Sequence, residues 1–74
     1  SLNAAMKVVD GIYKKVQLLR DFPAIGYLYR EDDGGEIRIL LYGHYRIAYL
    51  HKSEKRVDIL GVFHGSLDIE RYFT

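Results

Sequence analysis

The chain predicts an α+β domain: one main N-terminal helix packed on an antiparallel sheet of at least three strands, followed by a short C-terminal helical tail. Three observations carry this expectation. Apolar residues recur at steps of three and four from Leu2 to Leu19. Residues 36–42, 45–51 and 57–63 place large apolar side chains at every second position instead. Between these runs stand turn-forming stretches, namely the acidic 31–35, the pair Gly43-His44 and the charged 52–56.

Length and composition bound what such a domain can do. The 74 residues make one domain, spanning 1–74 without internal repeat or low-complexity segment. A domain of this size buries only about 60 to 65% of its unfolded surface, so its stability margin is thin. Eleven basic against ten acidic residues give a net charge of +1, which excludes a generic nucleic-acid coat; contact with nucleic acid would have to come from a local cluster. The absence of cysteine excludes a disulfide framework and agrees with a reducing cytoplasm. No apolar run approaches the ~20 residues of a membrane span, so no membrane partner is expected.

In the helix, Leu2, Ala5, Met6, Val9, Ile12, Tyr13, Val16 and Leu19 form an apolar stripe, with Ser1 placed to cap it and Gly11 placed for close packing. Pro23 ends it, because proline disfavours helical geometry at Phe22, which is expected to tuck under the last turn. Residues 24–29 read as a short extended segment and 31–35 as an exposed acidic turn, too short in its alternation for a calcium loop. Gly43-His44 suits a two-residue hairpin turn that sets Tyr42 opposite Tyr45. After Gly65, Ser66 or Asp68 would cap one or two helical turns, with Leu67, Ile69, Tyr72 and Phe73 available for packing.

Strand phasing then assigns faces. One side should carry Arg38, Leu40, Tyr42, Tyr45, Ile47, Tyr49, Val57, Ile59, Gly61 and Phe63 and bed the helix, with Gly61 letting it come close. The other should carry Ile37, Ile39, Leu41, Arg46, Ala48, Leu50, Asp58, Leu60, Val62 and His64, an apolar surface with a cationic corner. If Leu50 opposes Asp58, a regular ladder sets His44 opposite His64 and Arg46 opposite Val62. Arg46 and His64 then share a face at a diagonal separation of roughly 7 to 8 Å, within reach of one phosphate. The plainer reading pairs Arg46 with Asp58 as a surface ion pair. Three histidines with no shared ligand spacing argue against a metal site, and no cofactor is expected.

The order of these motifs resembles the RelE/ParE toxin superfamily of bacterial type II toxin-antitoxin and plasmid-stabilisation modules. The resemblance rests on the leucine-rich helix end running to Pro-x-x-Gly at 18–26, Tyr-Arg-x-x-Tyr at 45–49, and the alternating strand 57–64 that ends in histidine. It covers nearly the whole chain, beginning at the family's second helix, so that the family's first strand and first helix have no counterpart here. It implies a cytoplasmic toxin that arrests growth when free and is neutralised by a cognate antitoxin, as a homodimer or as a toxin-antitoxin hetero-oligomer.

Two mechanisms follow from the resemblance. RelE-, YoeB- and HigB-like members cut messenger RNA on the ribosome, which would make the chain an mRNA endoribonuclease, or a degenerate relative of one, with Arg46 and His64 as its catalytic pair. An arginine can stabilise charge on the phosphorane, and a histidine can protonate the leaving oxygen near neutral pH. ParE-like members instead poison DNA gyrase without hydrolysis. Arg38, Tyr45, Lys52, Lys55, Arg56 and Arg71 are the expected contacts to RNA or another target. Ile37 and Ile39 stand where the nucleases place lysines, and Glu31 and Glu36 are the nearest candidates for a base.

Overall fold

A computed structural model describes residues 1–73, with all side chains except those of Ser66 and Leu67. Helix α1 spans Leu2–Gln17 and passes through a 3₁₀ turn at Leu18–Arg20. Strands β1 (Tyr27–Asp32), β2 (Gly35–Tyr42), β3 (Tyr45–Ser53) and β4 (Arg56–His64) follow, then helix α2 (Ser66–Phe73). The strands form one antiparallel sheet in the order β1-β2-β3-β4. The expected α+β architecture is therefore present, with a fourth strand.

Local chemistry explains the element boundaries. The Ser1 hydroxyl accepts from the Ala4 N–H at 3.2 Å, satisfying one of the free donors at the helix start. At the far end the N–H groups of Asp21 and Phe22 both donate to the Leu18 carbonyl, and buried Pro23 prevents further winding. Phe22 does not tuck under that turn. The residue is 59% exposed, and the turn is closed by the backbone bonds to the Leu18 carbonyl, while the neighbouring Pro23 is the buried residue. Strand β1 also runs further than the expected 24–29. Its last residues, Glu31 and Asp32, pair with Glu36 and Gly35, so only Asp33 and Gly34 are left to make the turn.

Gly43 opens the β2–β3 turn with φ of 57° while His44 keeps a negative φ, the sign pattern of a II′ hairpin turn, and Tyr42 opposes Tyr45 as expected. The ladder then runs in constant register down to Glu36 opposite His51.

The sheet is packed on both faces. Leu40, Ile47 and Tyr49 lie with Leu19 on the α1 face, joined by Ile12, Val16, Tyr42 and Val57. Ile39 and Ala48 lie with Ile69 of α2 on the other face, joined by Tyr29, Leu60, Phe63 and Phe73. The tail thus forms two helical turns that cover the second face, and Arg30 ties down its end by donating to the Phe73 carbonyl at 3.1 Å. The expected cap at Ser66 and packing at Leu67 lie outside the described residues.

Helix α1 departs from expectation in one respect. No α1 residue is fully buried, and of the long apolar stripe only the portion from Ile12 onward reaches the core. The phenol of Tyr42 occupies the space over Gly11 that any larger side chain would need, so Gly11 is a packing glycine.

Candidate functional site

The β3–β4 hairpin positions the expected site residues. Its ladder pairs Leu50 with Asp58 and Tyr49 with Ile59, then skips Leu60 and continues with Ala48 opposite Gly61. Leu60 is the extra residue of a β-bulge, and its side chain packs toward α2 with Phe63. Beyond it every pairing is displaced by one, giving Ile47 opposite Val62, Arg46 opposite Phe63 and Tyr45 opposite His64.

That displacement reassigns the end of β4. Gly61 and Phe63 turn to the α2 face, while Val62 and His64 turn to the α1 face. Gly61 therefore does not admit α1; a side chain at that position would press on the Phe63 ring. Arg46 and His64, expected on one face, lie on opposite faces of the sheet. The physical reason is the period of two in a strand: one inserted residue inverts the orientation of everything after it.

Each residue has its own surroundings. Arg46 is half-buried on the α2 face, and its Nε has no hydrogen-bond partner among the described residues. It is not paired with Asp58, whose carboxylate lies 2.9 Å from Lys52 Nζ and 3.5 Å from Arg56 Nε. The hydrogen bond from Lys52, helped by the charge of Arg56, holds the Asp58 carboxyl below the ordinary carboxylate range. His64 is exposed on the α1 face, 5.3 Å from the Tyr45 ring and 6.2 Å from the His44 ring. Lys55 sits at the β3–β4 turn, beside a groove lined by Val16, Leu19, Arg20, Val57 and Ile59, and Arg71 is exposed on the last turn of α2.

Arg38 is committed internally. Its Nη1 donates to the carbonyls of Gly26 at 2.7 Å and Ala24 at 3.3 Å, and its Nε donates to Glu36 at 3.1 Å. His51, directly opposite Glu36, brings Nδ1 to 3.5 Å from the same carboxylate. The hydrogen bond from Arg38 is the main reason the Glu36 carboxyl titrates below its ordinary range. Beside this cluster the Tyr49 hydroxyl donates to the Pro23 carbonyl at 2.8 Å and accepts from the Gly26 N–H at 2.9 Å. Burial pushes its phenol up. Together these bonds fasten the segment between α1 and β1 to the sheet.

This Glu36-Arg38-His51 grouping went unseen in the sequence, although the signal was there. With Tyr42 opposite Tyr45, counting back six residues on β2 and forward six on β3 brings Glu36 to His51. Among the described residues no group of three or more histidine, cysteine, aspartate or glutamate side chains is arranged to hold a metal ion. No described helix is long and apolar enough to cross a membrane.

The arrangement thus offers a histidine and tyrosine corner on one face, a half-buried arginine on the other and a basic β3–β4 turn. Comparison with known families gives one match: the model described as ParE toxin of type II toxin-antitoxin system, parDE, matches residues 1–69. No curated protein and no solved structure matches the chain.

Proposed function

Because the chain belongs to the ParE toxin family of type II toxin-antitoxin systems, for which a cognate antitoxin is the implied partner, we propose that it arrests growth in the cytoplasm by gripping DNA gyrase rather than by cutting messenger RNA. One observation carries the choice of mechanism: Arg46 is paired with Phe63 and His64 with Tyr45, so the charge stabiliser and the acid expected of a nuclease emerge on opposite faces. In-line cleavage of a ribose-phosphate bond needs both groups around one phosphate. A binding toxin needs no such convergence. Its contacts are the exposed Lys55, Arg56 and Arg71 with Lys52 and Tyr45, and Arg46 contributes from the α2 face.

Ribosome-dependent cleavage of messenger RNA is the second reading, favoured by the exposed pair His44 and His64 with ring centroids 6.2 Å apart. Two imidazoles at that separation can act as acid and base near neutral pH.

The deciding experiment runs the purified chain in a gyrase supercoiling assay and, in parallel, maps messenger RNA ends on translating ribosomes. The expected result is loss of supercoiling with no new RNA ends. New ribosome-dependent ends that disappear in His64→Ala overturn the gyrase reading. On the gyrase reading Arg46→Ala should weaken growth arrest while His64→Ala, outside those contacts and on the opposite face, should leave it in place.

A further inference from the structure

Charge is divided unevenly along the chain. Residues 1–20 carry four basic side chains and one acidic, whereas residues 21–74 carry seven basic and nine acidic, so α1 and its 3₁₀ turn are the positive end of the molecule. Three of those four, Lys7, Lys14 and Lys15, line one concavity where α1 meets the end of β2, together with Gly11, Leu18 and Tyr42. Lys7 and Lys14 are exposed and Lys15 is half-buried. The single acid of the segment, Asp10, lines the same concavity and is paired with Lys14 at 3.1 Å.

We propose that this concavity binds the phosphate backbone of duplex DNA. Lys7 and Lys15 are separated by about 12 Å of helix, and a duplex of that length carries about seven phosphates, enough to meet three ammonium groups. A single strand would need aromatic faces free for its bases. Here the Tyr42 ring is held over Gly11, and Tyr45, directly opposite it, meets the His64 ring. With both rings engaged, contact to the backbone without contact to bases is what the concavity offers, and a duplex presents its phosphates in that way.

A lipid surface fits less well. At about 100° per residue, Lys7 and Lys14 stand roughly 110 to 130° round the helix from the exposed ridge of Leu2, Met6, Val9 and Tyr13. A membrane that took up that ridge would leave the lysines facing away from it. The site does not depend on whether gyrase or the ribosome is the target, since DNA alone tests it.

Fluorescence anisotropy of the full chain titrated onto a short labelled duplex, without gyrase, is the test, with the matching single strand and phosphatidylglycerol vesicles in parallel. Between about 50 and 200 mM salt the logarithm of the association constant should fall against the logarithm of salt with a slope of about −2.7, because each phosphate neutralised contributes about −0.9. Lys7→Gln and Lys14→Gln should each reduce that slope by about 0.9. Asp10→Asn, which releases Lys14 from its partner, should tighten binding by about two- to five-fold. All three positions are exposed, so the variants should keep the native circular dichroism spectrum. Absence of duplex binding at the lowest salt overturns the proposal, as does a slope that neither lysine variant changes, or a single strand held more tightly than the duplex. Binding to the vesicles in place of the duplex also overturns it and gives the lysines to a lipid surface.

Discussion

Tyr45 stands directly across the β3–β4 ladder from His64, its ring meeting the imidazole edge to face at 71° and 5.3 Å. The contact exists only because Leu60 is looped out of the ladder; without the bulge His64 would oppose His44. Directly opposed residues have Cα atoms about 4.5 to 5.5 Å apart, within disulfide range. In this cysteine-free chain, the pair Tyr45→Cys and His64→Cys should therefore oxidise to a crosslink more readily than His44→Cys with His64→Cys. Mass spectrometry under mild oxidant reads the two rates, and the reverse order would mean the strands pair without the bulge.

Gly11 and Tyr42 should be energetically coupled. Gly11→Ala gains up to about 1 kcal/mol in helix propensity but displaces the Tyr42 phenol, an overpacking that costs about 1 to 3 kcal/mol. The net expectation is destabilisation in the native background and stabilisation in a Tyr42→Ala background. Urea denaturation of the four members of the cycle measures it, and additive changes would show that ring and helix do not meet.

Tyr49→Phe removes a hydroxyl that serves two backbone groups at once, leaving the Gly26 N–H without its acceptor in a buried setting. The expected loss is about 1 to 3 kcal/mol in urea. It should appear as earlier hydrogen exchange around residues 23–26 than in the rest of the sheet.

Acid should weaken the fold through Glu36 and Asp58. Both carboxyls titrate below their ordinary values of 4.5 and 3.8, so the unfolded chain takes up protons first as pH falls. Their contribution is complete above those values. It is lost as pH drops through the lowered folded-state values. Glu36→Gln and Asp58→Asn should each flatten the acid limb of a stability curve measured between pH 2 and 7, and high salt should shrink the effect because both groups reach solvent. An unchanged acid limb in both variants would remove these pairs from the pH response.

Much of the architecture was legible because the signals were local. Ser1, Pro23, the Gly43-His44 turn and the period-two runs each act within a few residues, and each stands where the sequence put it. The site was less legible. A bulge adds one residue to a strand without disturbing its local apolar alternation; here it lets both Leu60 and Phe63 pack on the α2 cluster, and alternation by itself carries no mark of it. Once that single residue was missed, Gly61, Val62, Phe63 and His64 were all assigned to the wrong side. The α1 stripe failed for a related reason. Periodicity shows which helix residues are apolar, but not which of two adjacent apolar arcs meets the sheet. The acidic turn expected over 31–35 is present but tighter, because Glu31 and Asp32 pair with Glu36 and Gly35 and leave Asp33-Gly34, an aspartate-glycine pair that is itself a hairpin signal, to make it.

The meander order also bears on how the chain reaches this state. Every strand is hydrogen-bonded to its immediate neighbours in sequence, and each of the three hairpins closes over two residues. Little chain entropy is spent before the first pairing, so the sheet can zip outward from Gly43-His44. Docking of the two helices is then the slow event. In stopped-flow refolding the strand signal should precede burial of Tyr49, and simultaneous phases would point to a single concerted collapse.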